Sequence, residues 1–424
     1  MNVLILGSGG REHTLAWRLS LDPSCTRVYI WPGNDGMDGE KIETLQHSFI
    51  RENFYQIVKE KKIQLVIPGA ERYLYEGISD WCDEINLACF GPSPKASELE
   101  RSKLFSKKIM TESGIPTSRF VDLTDLFQNH FDKALSLTEE FKKPVIKISG
   151  PSLGKGVFVC EDSQEAKLIL RKLKECPQPG MEEGLLMEEG VKGKEVSLFY
   201  ACSGEKFYYL GSAQDHKRVY DGDKGPNTGG MGAISPVPWV DDHFISEISQ
   251  KILKPTLQSM KNLGTPFVGI LFLGLMVDQD EINVLEYNVR FGDPETQVLL
   301  PLIDGDFTKF IFNFCSGIFS EGLKLKNQTA VHVVKAAKGY PGSFGEEVEK
   351  GQFIKIQNNL GDQSKIIFAG VKKINGSLVT NGGRVLGVTS WGKDIFEALK
   401  TCYEALEKVQ FNGEHFRKDI GKNL

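Results

Sequence analysis

Short apolar runs alternate with amphipathic stretches through the first 100 residues. Residues 3–6, 28–31 and 65–68 are apolar throughout and of strand length, whereas residues 12–19 carry apolar positions at helical spacing. Alternating strands and helices are typical of β-α-β units, in which helices cover a parallel sheet. The pattern therefore predicts an N-terminal β/α domain.

The pattern changes after residue 101. A helical stretch over residues 102–110 ends at Gly114-Ile115-Pro116, and strand-like runs follow at residues 144–148 and 156–160. Strands and helices are mixed here rather than strictly alternating, which indicates an α+β region. Residues 214–238 are rich in Gly, Pro, Asp and Asn and lack apolar periodicity, so we expect an ordered functional loop without a regular element of its own.

The last 100 residues contain several short strand-like runs. These runs lie at residues 331–337, 366–368, 377–380 and 384–389. Asn381-Gly382 separates the last two runs, and this dipeptide favours the type I′ turn of a β-hairpin. The sequence therefore predicts a small β-rich C-terminal domain with a hairpin at this dipeptide.

Length and composition limit the classes of function. A chain of 424 residues should form two to four domains. A net charge of -5 offers no broad cationic surface, so nucleic acid is not expected as a partner. The eight cysteines include no Cys-x-x-Cys pair, which predicts free thiols in a reducing cytoplasm. The initial apolar run is too short for a signal peptide or a spanning helix.

A glycine-rich segment joins the first predicted strand to the first predicted helix, at residues 7–13. Such a junction presents backbone N–H groups and the positive end of the helix dipole to an anion, which favours binding of a substrate phosphate. The dinucleotide fingerprint fails, because Glu12 stands where the third glycine belongs. A purely structural tight turn remains as an alternative.

A second glycine-rich segment, at residues 150–156, resembles a P-loop. It is one residue short, and Gly156 stands where Ser or Thr must contact magnesium, so a Walker-type site is disfavoured. A glycine hairpin that lays its amides over nucleotide phosphates still fits. Lys147 lies in the apolar run just upstream and would need an anionic partner when buried, which a phosphate supplies.

Polar and apolar side chains alternate over residues 284–290. The polar members, which should share one face of a strand, are Glu286, Asn288 and Arg290. The apolar members, which should face the core, are Leu285, Tyr287 and Val289. Carboxylate and amide oxygens suit magnesium, and a guanidinium suits a phosphoryl group in transfer. An exposed strand face without chemistry is the alternative.

Two neighbouring segments extend this candidate site. The turn at residues 291–296 carries Asp293 and Glu295, which are placed to bind a substrate amine or metal unless they form a plain surface turn. Residues 229–232 are Gly-Gly-Met-Gly, which indicates close approach of the backbone to a ligand. A ligand bound there would also be within reach of the polar residues that precede this segment in the sequence, which are Lys217, Arg218, Asn227 and Thr228. His216 is interpreted as structural.

Several segments, taken in order, resemble the phosphoribosylamine–glycine ligase family of ATP-grasp enzymes. They lie at residues 9–13, 32–34, 102–103, 154–156, 214–218, 225–232, 290–297 and 380–385. The resemblance covers nearly the whole chain, and residues 227–232 and 288–296 are its most specific parts. It implies three domains, which are a Rossmann-like β/α domain at 1–101, an ATP-grasp domain at 102–325 with a lid at roughly 118–190, and a β-rich domain at 326–424.

The resemblance also implies an activity. ATP, glycine and 5-phosphoribosylamine would give glycinamide ribonucleotide, ADP and phosphate in purine synthesis. The reaction would pass through glycyl phosphate, because a free carboxylate resists attack by an amine. The implied cofactors are ATP and Mg²⁺ or Mn²⁺. The implied partners are small molecules, without nucleic acid or membrane, and the chain would be a cytoplasmic monomer or weak homodimer.

Individual roles follow from the same resemblance. The implied ATP contacts are Lys103, Lys147, Lys155, Gly156, Glu188, Val191 and Glu195, with Glu188 and Val191 at the adenine hinge and Glu195 at the ribose. The implied metal ligands are Glu286 and Asn288. The implied catalytic residues are Arg290, Asp215 and Lys217. The implied substrate contacts are Gly10, Arg11, Asn34, Asn227, Thr228, Gly229, Asp293 and Glu295.

The chain departs from the family pattern close to these ligands. The positions that differ in the lid and hinge are Ser149, Pro151, Ser152 and Gly190, and residues 69–72 read Gly-Ala-Glu-Arg where Gly-Pro-Glu-Ala is expected. These changes concern lid motion, nucleotide affinity and substrate fit, and they leave the metal ligands intact.

Three other readings remain. The chain would be another ATP-grasp ligase with a different acid or amine, or a diverged paralogue that binds nucleotide or phosphoribosyl ligands without turnover. Retention of Glu286, Asn288 and Arg290 disfavours a paralogue, since a binding module does not need a phosphoryl-transfer set. The third hypothesis, a dehydrogenase, rests on the first glycine segment alone, and that segment fails the dinucleotide fingerprint.

Overall fold

The computed structural model describes residues 1–151, 156–279, 281–319, 322–342, 347–357 and 359–422. The N-terminal strands are β1 Asn2–Gly7, β2 Arg27–Pro32, β3 Ile42–Thr44, β4 Leu65–Pro68 and β5 Ala88–Cys89. The helices among them are α1 Gly10–Ser20, α2 Arg51–Lys61, α3 Glu71–Tyr75 and α4 Ile78–Asp83. The strands pair in parallel in the order β3-β2-β1-β4-β5, which confirms the predicted β/α domain.

The carboxyl ends of β1 and β4 are neighbours in this sheet, and each strand is followed directly by a helix, α1 or α3. Ligands of open α/β sheets bind at such an edge. The first glycine segment and Glu71 therefore reach one side of the molecule together.

The lid is a separate antiparallel unit that follows α5 Glu98–Arg101 and α6 Lys103–Glu112. Its strands are β6 Phe120–Asp122, β7 Pro144–Ile148, β8 Val157–Val159 and β9 Leu185–Glu189, and its helices are α7 Thr124–Asn129, α8 Phe131–Leu137 and α9 Ser163–Glu175. The strands pair in the order β6-β9-β7-β8. An apolar core of its own, which includes Phe127, Ile146 and Leu170, holds these elements together.

The remaining strands begin with β10 Lys194–Ser203, β11 Lys206–Asp215, β12 Arg218–Tyr220, β13 Lys224–Asn227, β14 Gly232–Ser235, β15 Val268–Asp278, β16 Glu281–Asn288, β17 Ile303–Asp304 and β18 Lys324–Leu325. They continue with β19 Thr329–Ala336, β20 Lys355–Ile356, β21 Ser364–Phe368, β22 Val371–Ile374, β23 Ser377–Thr380, β24 Arg384–Gly392 and β25 Val409–Gln410. The helices are α10 Asp242–Ile248, α11 Lys254–Asn262, α12 Thr296–Leu299, α13 Phe307–Cys315 and α14 Ile395–Leu406.

Eight of these strands form one antiparallel sheet in the order β16-β15-β10-β11-β14-β19-β24-β21. The sheet runs from the middle of the chain into its C-terminal region through the pairing of β14 with β19. The C-terminal strands are thereby fixed to the strands that precede the candidate site.

The prediction that residues 214–238 form no regular element is wrong. This segment contains the hairpin of β12 and β13, and β14 lies between β11 and β19 in the large sheet. All four residues of β14 are buried. A short inner strand is specified by neighbours on both sides, so it needs no alternating pattern of its own.

The hairpin predicted at Asn381-Gly382 is also wrong. β23 pairs with β22, and the turn between them is Asn375-Gly376, whose φ values of 49° and 79° suit a type I′ turn. Asn381 instead donates its backbone N–H to the Gly370 carbonyl. An Asn-Gly dipeptide lies on each side of β23, and the pairing of β23 with β22 places the turn at the first of them.

No helix in the described ranges is both long enough and apolar enough to span a membrane.

A buried ion pair joins α1 to α13. The Arg18 guanidinium contacts the Asp22 carboxylate and donates to the Gly305 carbonyl at 2.7 Å. The second oxygen of Asp22 accepts from the Thr308 backbone N–H at 2.7 Å and from its hydroxyl at 2.9 Å. Both charged side chains are nearly buried, at 8% and 3% exposure.

We expect Asp22→Ala to lower the free energy of unfolding by about 3–5 kcal/mol, because it leaves a buried guanidinium without its partner. Urea unfolding followed by tryptophan fluorescence measures the change. Asp362→Ala, at an exposed loop position, is the matched control. A loss equal to that of the control would contradict this account of the contact.

Candidate functional site

A cleft of about 600 Å³ lies between the N-terminal domain, the lid, the large sheet and the C-terminal region. The predicted site residues that line it are Arg11, Lys103, Gly156, Glu188, Asp215, Lys217, Thr228, Gly229, Glu286, Asn288, Arg290, Asp293 and Glu295. Most of the residues that the sequence marked therefore converge on one cavity.

Six other predicted residues do not line this cleft, namely Gly10, Asn34, Lys147, Val191, Glu195 and Asn227. Lys147 and Glu195 contact residues that do, which are Glu188 and Lys217 respectively. Asn227 is exposed on β13, and Val191 is half-buried beyond the end of β9. Lys155 and Ser152 lie outside the described residues.

Gly10 and Asn34 serve contacts between domains in this structure. A Cβ atom at Gly10 would lie 2.7 Å from Nε2 of Gln297, so glycine permits α1 to approach α12. The Asn34 amide donates to the carbonyls of Ser8, at 2.8 Å, and Ala369, at 3.0 Å. Asn34 thus connects the first glycine segment to the C-terminal region.

The N-terminus of α1, expected to bind a phosphate, already receives protein carboxylates. Asp293 Oδ2 accepts from the Arg11 backbone N–H at 3.0 Å, and Glu12 Oε2 accepts from that of Gly9 at 2.6 Å. The Arg11 guanidinium contacts Glu12 at 2.7 Å and the Phe291 carbonyl at 2.9 Å. These contacts hold α1 against the turn that follows β16.

The polar face of β16 is placed as predicted, because Glu286, Asn288 and Arg290 all line the cleft. The prediction that Leu285 faces the core is wrong. The pairing of β16 with β15 slips at this point, so that Glu286 lies opposite Gly274 while Val284 lies opposite Leu275. This bulge breaks the period of two and turns Leu285 into the cleft.

Two acids that the sequence did not mark hold Arg290. Its Nη2 lies 2.9 Å from Glu100 and its Nε lies 3.3 Å from Glu71. Glu71 follows β4 at the ligand-binding edge of the parallel sheet, which is a signal that a reader of the sequence could have used. Glu100 lies in a short helix before the lid and carries no comparable signal.

These contacts keep Arg290 charged. Burial lowers the pKa of Arg290, but the carboxylates of Glu100 and Glu71 outweigh it and raise that pKa above its ordinary value. Burial likewise opposes ionisation of Glu71, yet Arg290 and Arg11 lower the pKa of Glu71 to about 2. A guanidinium fixed in this way is preorganised to face developing negative charge.

Lys103 and Lys107 line the lid side of the cleft, and Lys147 contacts Glu188, which also lines it. Lys147 and Lys107 lie 3.0 and 3.2 Å from the same oxygen of Glu188, to which the Ser118 hydroxyl also donates, at 2.9 Å. Burial lowers the pKa of Lys107 to about 8, against the opposing charge of Glu188. Lys103 forms no ion pair with any residue in the described ranges, so its charge is available for a phosphate.

Two of the departures from the family pattern lie beside this group of lysines. Ser149 accepts from the Leu104 backbone N–H at 3.2 Å and so connects the lid to the start of α6. A Cβ atom at Gly190 would lie 2.8 Å from the Lys143 carbonyl oxygen, so the strand end requires glycine for this approach. Both residues therefore have structural explanations at the hinge.

Glu286 and Asn288 provide a fit for magnesium. Their side chains are 3.5 Å apart, from Asn288 Nδ2 to Glu286 Oε1. Burial raises the pKa of Glu286, but Lys217, Lys103 and Lys147 together hold it below the ordinary value. No group of three or more His, Cys, Asp or Glu side chains suited to a metal occurs within the described residues. Two protein oxygens are nevertheless enough for Mg²⁺ when phosphates and water complete its shell.

Lys217 also lines the cleft and lies between acids. Its Nζ contacts the Glu195 carboxylate and lies 3.0 Å from Asp215 Oδ1. Burial lowers the pKa of Lys217, but Asp215 and Glu195 raise it well above the ordinary value. Lys217 is therefore positively charged, and the Glu195 carboxylate binds Lys217 and does not line the cleft.

Arg384 was marked only as part of a family segment, and the structure places it in the cleft. Its Nη1 lies 3.2 Å from Asp293 Oδ1, and it donates to the carbonyls of Asp293, at 2.9 Å, and Gly229. The Gly229 backbone N–H donates to the Tyr340 hydroxyl at 3.1 Å. The C-terminal region thus holds the glycine loop of the site, through contacts that no local pattern indicates.

Three family models match consecutive parts of the chain. The phosphoribosylglycinamide synthetase N domain matches residues 1–100, the ATP-grasp (A) domain of the same family matches residues 101–296, and its C domain matches residues 330–423. Together these models cover nearly the whole chain, in the order expected for the family.

Individual relatives agree with these matches. The phosphoribosylamine–glycine ligase of Mesorhizobium japonicum is 40% identical, over 99% of this chain and 98% of that protein. The crystal structure of the Thermotoga maritima phosphoribosylamine–glycine ligase superposes with a TM-score of 0.83 at 32% identity, covering 99% of this chain and 100% of that one.

A more distant structure shows the fold alone. The biotin carboxylase domain of Hydrogenobacter thermophilus 2-oxoglutarate carboxylase, solved with MgADP and bicarbonate, has a TM-score of 0.71 at 15% identity and covers 98% of this chain and 91% of that one. The full-length matches are the ones that decide the family: the chain belongs to the phosphoribosylamine–glycine ligase family of ATP-grasp enzymes.

Proposed function

We propose that the cleft ligates glycine to 5-phosphoribosylamine at the expense of ATP, giving glycinamide ribonucleotide, ADP and phosphate in purine biosynthesis. One observation carries this function: Glu286, Asn288 and Arg290 line the same cleft as Lys103 and the first glycine segment. The cleft thereby combines the groups that phosphoryl transfer needs with a surface for the second substrate. These groups are the metal ligands, a cation for the transferring phosphoryl group and a lysine for phosphate.

The lysine side of the cleft receives ATP. Lys103 is free to pair with its phosphates, while Lys147 and Lys107 are held by Glu188 at the hinge where the adenine lies. Gly156 lines the cleft from the lid side, where it covers the phosphates. Glu286 and Asn288 would hold Mg²⁺, which would neutralise phosphate charge when bound, and Mn²⁺ has the same preference for oxygen ligands.

The first half of the reaction transfers a phosphoryl group. A glycine carboxylate oxygen attacks the γ-phosphorus of ATP, the bond from that phosphorus to the bridging oxygen breaks, and ADP leaves. Arg290 faces the charge that gathers on the transferring group, and Glu71 and Glu100 keep its guanidinium in place. Electrostatic stabilisation of this kind requires no covalent intermediate with the protein.

The second half forms the amide. The amine nitrogen of 5-phosphoribosylamine attacks the carbonyl carbon of glycyl phosphate, and phosphate leaves. Asp215, Lys217, Thr228, Gly229, Asp293 and Glu295 surround this part of the cleft. We assign Arg11 to the phosphoribosyl side, since it lies on the N-terminal domain at the cleft edge, and Gly10, Asn34 and Asn227 to the support of that surface.

Cellular context and assembly stay as predictions. The eight cysteines are all free thiols in the structure, in keeping with a cytoplasmic location. Substrates are small molecules, as in the family. A monomer or weak homodimer that binds neither nucleic acid nor membranes remains our expectation.

The direct test is ADP release from the purified protein with Mg-ATP and freshly made 5-phosphoribosylamine. Glycine is supplied, omitted, or replaced by alanine or serine. Release that requires both glycine and the amine supports the ligase and its substrate choice. ATP binding without release would support a diverged paralogue, and release with another amino acid would support a different ATP-grasp ligase.

Arg290→Ala should lower kcat for ligation by about 10³-fold or more, the range seen when an arginine that stabilises a transferring phosphoryl group is removed. Steady-state ADP release measures this loss, and circular dichroism shows whether the fold survives. Arg290→Lys is the control for charge, since lysine keeps the charge but loses the two-sided contact with Glu71 and Glu100. Near-normal turnover of the alanine variant would refute the assigned role.

Glu286→Gln should raise the Mg²⁺ concentration for half-maximal activity by on the order of tenfold or more, because an anionic ligand becomes a neutral one. A magnesium titration of ADP release at saturating ATP shows the shift. Glu281→Gln, at the exposed start of the same strand, is the matched control. An unchanged titration would count against Glu286 as a ligand.

A further inference from the structure

We propose that Glu295 is the general base of amide formation, which takes the proton from the amine of 5-phosphoribosylamine as that nitrogen attacks glycyl phosphate. The inference rests on the proposed ligase function and adds to it the group that removes the proton.

Glu295 is held rigidly at the wall of the cleft. It precedes α12, and its backbone carbonyl accepts from the N–H groups of Val298 and Leu299, each at 3.0 Å. Only 4% of the residue is exposed, yet it lines the cleft. A Cβ atom at Gly292 would lie 2.4 Å from Glu295 Oε2, so the carboxylate folds over this glycine and depends on its small size.

The charge pattern singles out Glu295 among the acids of the cleft. Asp215 pairs with Lys217, Asp293 with Arg384, and Glu188 with Lys107 and Lys147. Arg290 holds Glu71 and Glu100. Glu295 forms no ion pair with any described residue, and Glu286 is assigned to the metal. A carboxylate tied to a cation is a weak base, so the unpaired one is the better proton acceptor.

The surroundings tune Glu295 toward this task. The charged groups that face it are Asp215, Lys217, Arg290 and Arg384, and Asp293 lies on the same turn. Burial and the negative charge of Asp215 raise the pKa of Glu295 to about 7, although Lys217 and Arg290 oppose them. A base works best when its pKa lies near the pH at which it operates.

The step balances without a further reactant. The amine nitrogen forms a bond to the carbonyl carbon, and the bond from that carbon to the phosphate oxygen breaks, so phosphate leaves with the electron pair. One proton from nitrogen moves to a Glu295 oxygen and is released to solvent after the product departs.

Glu295→Gln tests the base, because glutamine keeps the size of the side chain and cannot accept the proton. In rapid-quench single turnovers with all three substrates, amide formation should fall about 10²–10⁴-fold while ADP formation stays within a few-fold of wild type. ADP should then appear before the amide in the variant and together with it in wild type. Glu52→Gln, at an exposed position of α2, is the matched control.

The pH profile is the second readout. An unprotonated base is required, so the amide-forming rate of wild type should rise with pH through about 7, and one unit below that pKa it should be about tenfold under its plateau. The variant should lose this rise. Glu295→Asp, which keeps a carboxylate, should restore part of the rate and the slope.

Other outcomes overturn the inference. Equal slowing of ADP and amide formation would give Glu295 a structural role, and unchanged amide formation or an unchanged pH profile in the glutamine variant would exclude it as the base. Failure of the ligase function itself looks different, since wild type would then form no amide from glycine at all.

Discussion

The ion pairs of Arg290 are the constraint on which the rest of the site depends. A buried guanidinium is tolerated only when its charge is met, and here Glu100 and Glu71 meet it at 2.9 and 3.3 Å. Glu71 belongs to the N-terminal domain, whereas Arg290 lies two residues beyond β16, the strand that carries the proposed metal ligands. The cation that we propose for phosphoryl transfer is therefore also a contact between the N-terminal domain and the strand that carries the proposed metal ligands.

Asp293 repeats this arrangement three residues later. Its carboxylate accepts from the N-terminus of α1 and pairs with Arg384 from the C-terminal region. Burial raises the pKa of Asp293, but Arg384 and Arg11 hold it below the ordinary value, so it stays charged. The turn that carries Asp293 thus contacts both the N-terminal domain and the C-terminal region. Any movement of either domain away from the cleft has to separate these partly buried ion pairs.

The sequence predicted the elements whose information is local. The β1–α1 junction and the polar face of β16 follow from apolar periodicity, and both are where the pattern puts them. The prediction that Leu285 faces the core was wrong because a bulge interrupts the alternation of β16. The strand β14 was missed because its pairing with neighbouring strands, and not a pattern in its own residues, makes it a strand. Glu100 and Arg384 could not be found locally, since each acquires its role only by meeting a residue far along the chain.

The charged side chains of the cleft can be grouped by the substrate that the proposal assigns to them. Under the proposed function, Lys103 meets the triphosphate near the two lysines that Glu188 holds, Lys107 and Lys147, and the acids Asp215, Asp293 and Glu295 lie where the amine loses a proton. In the same proposal Arg290, which lines this cleft, faces the group that passes from one substrate to the other. Under this proposal the electrostatics that bind the substrates also orient them, with the triphosphate of ATP toward Lys103 and the amine toward Glu295.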